Sequence, residues 1–154
     1  MKLYLMQHGQ AEPKEVNADR PLSEQGNREV QAMAEFLQRA NIIPEKIFHS
    51  GKLRAQQTAE ILGRQLSIDA LDVIQGINPN DDVNSFAEEV DNLEHDTCLV
   101  GHLPFMARLV SCLMNVDIET GLVDFMPASV ICMERSQEEL WVINWMVRPD
   151  LLPS

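Results

Sequence analysis

The sequence predicts one α/β domain, residues 1–154, in which a mainly parallel sheet lies between two layers of helices. Its 154 residues suffice for a single domain with a substantial core. Short apolar segments, typical of buried strands, alternate with segments whose apolar residues recur at helical spacing. Two strand-like segments then follow one another near the end of the chain. Such alternation is typical of a three-layer α/β/α arrangement.

The first element is predicted to be a short strand that is buried on both faces. Residues 3–6 are an apolar run, Leu-Tyr-Leu-Met, with no polar spacer, as in central strands of parallel sheets. Gly9 follows and frees the backbone for a sharp turn. A polar loop over residues 10–22 leads to an amphipathic helix over residues 23–39, for which Ser23 is the expected N-cap.

The middle of the chain repeats this order of strand and helix. Residues 46–50 are predicted to form a second short strand, and a helix follows from about residue 53 to residue 65. Residues 71–74 fit an edge strand. A turn-rich loop separates them from residues 83–93, which are predicted to be helical because their apolar side chains recur on one face.

The last third of the chain is predicted to complete the sheet. Residues 97–101 form another buried apolar segment, and the residues from 104 to 114 have the apolar spacing of a helix. Residues 129–134 and 140–146 are predicted to be strands joined as a hairpin, since a short polar turn separates them. This pair adds antiparallel strands to the sheet.

Charge and composition limit the partners that we expect. The net charge of −12 implies a surface that repels phosphate backbones, so we expect no nucleic-acid partner. No apolar run approaches the roughly 18 residues of a membrane span, and the N-terminus does not resemble a signal peptide. We therefore expect a cytoplasmic protein without a membrane partner. Its three cysteines are widely spaced, which favours reduced thiols over a disulfide framework or a zinc site.

Three segments share the order of buried strand, polar residue and helix, and they carry His8, Arg54 and His102. Because the carboxyl ends of parallel strands lie along one rim, we expect these side chains to be close together. Helix N-termini at the same rim would offer free N–H donors. The result would be a cationic pocket in an acidic protein, suited to a phosphoryl group. A neutral imidazole in it could act as the nucleophile toward phosphorus.

Each of these residues also has a structural interpretation. A lone histidine at the end of a strand can simply cap a turn, so the hypothesis of a site depends on the three strand ends together. Arg20 could pair with the neighbouring Asp19 at the surface instead of reaching the rim. His49 and His95 are interpreted as structural or solvated.

The motifs at these strand ends resemble the histidine phosphatase superfamily, and in particular its small, cap-less bacterial branch of protein phosphohistidine phosphatases. The resemblance extends from Leu3 to about Trp145. The matching residues are Gln7-His8-Gly9, Asp19-Arg20-Pro21-Leu22-Ser23 with Gly26, Ser50-x-x-x-Arg54-Ala55-x-x-Thr58-Ala59 and Gly101-His102-Leu103-Pro104. Each motif alone has little specificity, whereas their order and spacing together are specific.

The resemblance implies a phosphoglycerate-mutase-like fold without a cap domain, and a covalent mechanism. His8 would accept the phosphoryl group, while Arg54 and His102 would hold its oxygens. Phosphate contacts are also implied for Gln7, Gly9 and Arg20. No cofactor and no metal are expected. The implied substrate is a protein phosphohistidine, such as that of a histidine-phosphotransfer domain in a signalling system, and we expect the chain to be a monomer.

The chain departs from the resemblance at Gln7, because the family motif begins Arg-His-Gly. Glutamine keeps a hydrogen-bond donor but lacks the charge and the planar fork of arginine. Loss of one charged donor to the transition state costs roughly 2–4 kcal/mol, or about 30- to 1000-fold in rate. A weakened phosphoryl-recognition or regulatory module, or a small-molecule phosphomonoesterase, therefore stays open as an alternative. The identity of the general acid is also open, and Glu12, Asp81 and Asp82 are the candidates.

Overall fold

The computed structural model describes residues 1–153. Strands and helices alternate along the chain as predicted. The strands are β1 (Lys2–Gln7), β2 (Lys46–His49), β3 (Leu71–Val73), β4 (Thr97–Gly101), β5 (Val130–Arg135) and β6 (Trp141–Val147). The helices are α1 (Glu24–Arg39), α2 (Leu53–Leu66), α3 (Val83–Val90) and α4 (Phe105–Leu113), followed by a 3₁₀ turn at Pro149–Leu151.

All six strands belong to one sheet with the order β3-β2-β4-β1-β5-β6. The pairs β3–β2, β2–β4 and β4–β1 are parallel. β5 is antiparallel to both β1 and β6, so among the described strands it alone runs against the rest. The predicted mixed α/β fold, with a mainly parallel sheet and a final hairpin, is confirmed. β1 lies inside the sheet between β4 and β5.

The side chains of β1 alternate between two apolar clusters. Tyr4 and Met6 pack with residues of α1 and α2, whereas Leu3 and Leu5 pack with residues of α3 and α4. This alternation is the two-residue period of a strand, and all four side chains are buried. The prediction of a strand buried on both faces is therefore confirmed. His8 is even-numbered like Tyr4 and Met6 and continues on the side of α1 and α2.

Element boundaries differ from the predictions by a few residues. Ser23 is the N-cap of α1, as predicted, and its Oγ accepts a hydrogen bond from Gly26 N at 3.0 Å. α3 ends at Val90 and not at residue 93, because Leu93 N–H donates to the carbonyl three residues earlier and tightens the chain into a turn. β2 ends at His49, so Ser50 already belongs to the loop at the rim.

A helix that crosses a membrane has to be long and apolar. Residues 1–153 contain no helix that is both long enough and apolar enough to cross a membrane.

Candidate active site

The pairing of β1 with β4 brings the two predicted site histidines together. Gln7 and Gly101 are partners in the parallel register, so His8 and His102 follow at equivalent positions on neighbouring strands. Both side chains therefore lie on the α2 side of the sheet, with ring centroids 5.0 Å apart and ring planes at 51°. Arg54 reaches the same place from the first turn of α2. The expected proximity of the three residues is observed.

Hydrogen bonding fixes the tautomer of His8. Its Nδ1 lies 2.6 Å from the carbonyl oxygen of Gly9, and a carbonyl can only accept, so Nδ1 carries the proton. In the neutral ring Nε2 then carries the lone pair, which accepts a hydrogen bond from Arg54 Nε at 3.4 Å. Burial, followed by the charges of Arg54 and Arg20, lowers the pKa of His8 to about 4, although the bond to Gly9 opposes this. At neutral pH His8 is an uncharged imidazole with an available lone pair.

Gly9 holds His8 in place for a different reason from the one predicted. Its φ is not in the positive region, so the turn does not require glycine. A Cβ atom here would lie 2.5 Å from Val30 Cγ2, so close packing against α1 is the requirement. The Gly9 N–H donates to Thr58 Oγ1 at 3.0 Å, and the phosphate contact expected of Gly9 stays a prediction. Gly9 thus acts on the site through the carbonyl that orients His8.

Arg20 lies near the pocket and not in a surface pair with Asp19. Its Nε donates to the carbonyl oxygen of Glu12 at 3.1 Å, and its φ of 48° places the backbone in the left-handed region. The charge of Arg20 contributes to lowering the pKa of Arg54, after burial, and contributes to the lowered pKa values of both histidines. The charges of two guanidinium groups therefore act on the imidazole pair in a chain of net charge −12.

His102 is bonded to a serine to which the sequence assigned no role. Its Nε2 lies 2.6 Å from Ser50 Oγ, whereas its Nδ1 has no hydrogen-bond partner within residues 1–153. The side chain is 1% exposed, and burial is the largest cause that lowers its pKa to about 3, followed by the charges around it. The sequence could have indicated a role for Ser50, because this residue directly follows β2 at the same rim as His8 and His102.

Gln7 ends β1 and is 8% exposed. Its side-chain Oε1 is buried and has no hydrogen-bond partner in the described part of the chain. The backbone is well held, since Gln7 N donates to the Ser129 carbonyl and the Gln7 carbonyl accepts from Ala128 N. Gln7 thus directly precedes the candidate nucleophile His8, and its Oε1 is an acceptor to which no described protein group donates.

The candidate carboxylates have other contacts. Asp82 caps α3 and accepts hydrogen bonds from Asn84 N and Ser85 Oγ, which lower its pKa. Asp81 Oδ2 accepts from Asn78 N. Glu12 is left as the candidate in the same loop as Arg20. Among the residues that the structure describes, no group of three or more His, Cys, Asp or Glu side chains could hold a metal ion.

The two remaining histidines have other partners. His49 is buried, and its Nδ1 accepts a hydrogen bond from Gly51 N at 3.1 Å. His95 Nδ1 lies 3.1 Å from a Glu45 carboxylate oxygen, with both side chains about half exposed or more. The interpretation of these two histidines as structural or solvated agrees with their contacts.

Comparisons with known proteins find relatives along the whole chain. A sequence model of the histidine phosphatase superfamily (branch 1) matches residues 3–78. An uncharacterised protein of a Picosynechococcus species is 34% identical over 111 residues, which cover 68% of this chain and 67% of that protein. The phosphohistidine phosphatase SixA of Escherichia coli K12 is 26% identical over 97% of this chain and 94% of its own.

A solved structure shares the fold. The protein histidine phosphatase SixA complexed with tungstate superposes with a TM-score of 0.84 at 24% sequence identity. The superposition covers 97% of this chain and 98% of that one. The fold therefore matches that of this phosphatase over nearly all of both chains.

Proposed function

Because the chain belongs to the histidine phosphatase superfamily, we propose that it removes the phosphoryl group from a phosphohistidine carried by another protein. The partner of the proposed reaction is a histidine-phosphotransfer domain of a signalling system. The observation that carries the proposal is the state of His8, an uncharged imidazole whose Nε2 lone pair faces Arg54.

The proposed reaction has two steps. The Nε2 lone pair of His8 attacks phosphorus, an N–P bond to His8 forms, and the N–P bond of the substrate breaks. The departing imidazole keeps the electron pair of that bond. Water then attacks phospho-His8, losing a proton to solvent, and releases phosphate and the free imidazole. Arg54 and His102 would stabilise the equatorial oxygens in both steps, since phosphoryl transfer depends mostly on positioning and charge stabilisation.

A phosphohistidine fits the site better than an alkyl phosphate does. Two of the three candidate acids, Asp81 and Asp82, already accept hydrogen bonds from their own loop and helix. A phosphohistidine needs such an acid least, because its leaving ring can be protonated on the distal nitrogen near neutral pH. Between α2 and β4 the chain forms only β3, α3 and their connections, which leaves the rim open to a protein substrate.

The test is phosphate release from a phosphorylated histidine-phosphotransfer domain. We expect the wild type to release phosphate and to accumulate an acid-labile phosphohistidine, and His8→Ala to do neither. His95→Ala is the matched control, because His95 contacts Glu45 away from the rim, and it should behave as the wild type. Release by the wild type no faster than by His8→Ala would refute the proposal.

Gln7 supports a second candidate, a phosphoryl-recognition module with weak catalysis. Gln7 directly precedes His8 in the chain, and its buried side chain carries no charge. In that case Gln7→Arg should raise hydrolysis by about 30- to 1000-fold, the reverse of the loss of one charged donor. Gln7→Lys is the matched control, since it restores charge without the planar fork. A fast wild type that Gln7→Arg does not improve would exclude the module.

A further inference from the structure

Thr58 is a polar residue of α2 to which the proposed reaction assigns no role. Its side chain is fully buried, and its hydroxyl makes two hydrogen bonds. Thr58 Oγ1 donates to the Arg54 carbonyl, one helical turn earlier, at 2.8 Å. The same oxygen accepts from Gly9 N at 3.0 Å. Both directions are determined, because a carbonyl can only accept and a backbone N–H can only donate.

The two bonds of Thr58 complete a closed ring of hydrogen bonds around the candidate nucleophile. His8 Nδ1–H donates to the Gly9 carbonyl at 2.6 Å, and Arg54 Nε donates to His8 Nε2 at 3.4 Å. Thr58 joins the other two members, since it accepts from Gly9 and donates to Arg54. Each residue of the ring therefore donates one bond and accepts one. The ring connects the loop after β1 with the start of α2 and includes His8 Nε2, the atom that would attack phosphorus.

The bond from Gly9 distinguishes Thr58 from an ordinary helical threonine. A hydroxyl that bonds four residues back along its own helix is common and indicates only local structure. The bond from Gly9 N instead joins positions 49 residues apart in the chain. Glycine has the widest choice of backbone angles, so this segment needs an anchor. Thr58 holds the N–H of Gly9, while the carbonyl of Gly9 orients His8.

We propose that Thr58 is a positioning residue whose hydroxyl closes this ring and thereby holds the His8 imidazole at the orientation and distance from Arg54 that phosphoryl transfer requires. This inference rests on the proposed function. Thr58 does not touch the substrate, because its side chain is fully buried. Loss of the hydroxyl leaves the buried Gly9 N–H without its acceptor and loosens His8, so kcat should fall more than KM rises.

The experiment compares Thr58→Val, which replaces the hydroxyl by a methyl group, with Thr97→Val. Thr97 is also a buried threonine whose hydroxyl donates to a backbone carbonyl, that of His95, but it lies at the amino end of β4, away from the rim. Thr58→Val should lower kcat for phosphohistidine hydrolysis about 10- to 100-fold, the scale of a small misplacement of a reacting group. Thr58→Ser keeps the hydroxyl. It and Thr97→Val should retain kcat within about 3-fold.

Proton NMR follows the orientation of His8 and does not require activity. In the wild type the His8 Nδ1 proton, which is donated to a carbonyl oxygen 2.6 Å away, should give a downfield signal that is absent in His8→Asn. Thr58→Val should shift this signal upfield or broaden it beyond detection. Thr58→Ser and Thr97→Val should leave it in place.

Three results would overturn the inference. The first is an unchanged His8 proton signal in Thr58→Val. The second is equal loss of kcat in Thr58→Val and Thr97→Val, because general destabilisation then explains both. The third is a wild-type Gly9 amide that exchanges with solvent as fast as an exposed loop amide, and this measurement needs no variant that must fold.

The outcomes also separate this inference from the proposed function. If the His8 signal depends on the Thr58 hydroxyl while the wild type releases no phosphate from phosphohistidine, the positioning of His8 by Thr58 holds and the enzyme proposal fails. If the wild type and Thr58→Val hydrolyse phosphohistidine equally, the enzyme proposal holds and the inference fails.

Discussion

His8 and His49 are both buried at the carboxyl ends of parallel strands, with 9% and 6% of their surface exposed. Burial is also the first cause that lowers the pKa of each ring. They differ in the direction of one hydrogen bond. Nδ1 of His8 donates to a carbonyl, whereas Nδ1 of His49 accepts from Gly51 N. The lone pair of His8 is therefore on Nε2, where a side chain, Arg54, donates to it through Nε, whereas the lone pair of His49 is on Nδ1 and accepts from the backbone of its own loop.

The charged groups around the two rings also differ, because His8 has cationic neighbours and His49 has anionic ones. Arg54 and Arg20 lower the pKa of His8, whereas Glu60 and Asp72 act on His49 in the opposite direction. An approaching phosphoryl group would be attracted to the first ring and repelled from the second. A buried strand-end histidine with a low pKa is thus not enough to indicate a nucleophile. The donor or acceptor beside it and the neighbouring charges distinguish the two cases.

The largest expected effect comes from the same substitution at both positions. In His8→Asn the amide can still donate to the Gly9 carbonyl but cannot accept a phosphoryl group, so kcat/KM should fall at least about 10³-fold. In His49→Asn the side-chain oxygen can still accept from Gly51 N, as in an Asx turn, so kcat/KM should change less than about 5-fold. Steady-state hydrolysis of phosphohistidine checks both. Equal losses would mean that the two histidines are not functionally distinct.

An intermediate effect is expected from moving the carbonyl that orients His8. In Gly9→Ala the new Cβ would meet Val30 Cγ2, so the turn must shift, and we expect about a 10²-fold loss of kcat/KM. Overpacking should also lower the free energy of unfolding by about 1–3 kcal/mol. Gly9→Ala/Val30→Ala removes the contacting methyl and should recover part of the activity, with Val30→Ala alone as the control. Wild-type activity in Gly9→Ala would show that the orientation of His8 does not depend on this contact.

The smallest effect concerns stability and pH. The pKa of His8 falls from 6.5 in the unfolded chain to about 4 in the folded protein, so below pH 6.5 the unfolded state binds the proton more readily. Stability should therefore decrease as pH falls from about 6.5 toward 4. Between pH 7 and pH 5 the contribution of His8 amounts to roughly 2 kcal/mol.

Urea unfolding of the wild type and of His8→Asn at pH 7, 6 and 5 measures this contribution. The variant should lose less free energy of unfolding over this range, because it lacks the group that titrates. His49→Asn should change the slope in the same direction, since burial also lowers the pKa of His49. Parallel pH profiles for wild type and His8→Asn would contradict the lowered pKa of His8.

The sequence predicts the arrangement of this site better than its chemistry. Periodicity in the apolar segments is enough to predict the sheet, and the shared rim of parallel strands brings His8, Arg54 and His102 together. The tautomer of His8 could not be predicted, because it depends on a single hydrogen bond to the Gly9 carbonyl that exists only after folding. The 3₁₀ turn at Pro149–Leu151 and the end of α3 were missed, since short turns carry no periodicity.

The role of Gly9 was also beyond the sequence. A glycine after a strand suggests a turn with positive φ, but here the contact with Val30 of α1 explains the residue. Such a contact links positions that are distant in the chain and leaves no local pattern. For Gln7, the sequence shows that glutamine replaces the arginine of the family motif. Only the structure shows that its side-chain Oε1 is buried and has no hydrogen-bond partner in the described part of the chain.

The pairing of β1 has a consequence for how the protein is made. His8 lies far ahead of its backbone partners in the chain, because its N–H donates to the Gly101 carbonyl and its carbonyl accepts from Ala128 N. Both partners are synthesised much later, and closing such long loops costs entropy before any contact compensates it. A nascent chain ending after α2 would contain His8 and Arg54 without the framework that aligns them. The proposed site should therefore assemble only late in folding, when β4 and β5 enclose β1.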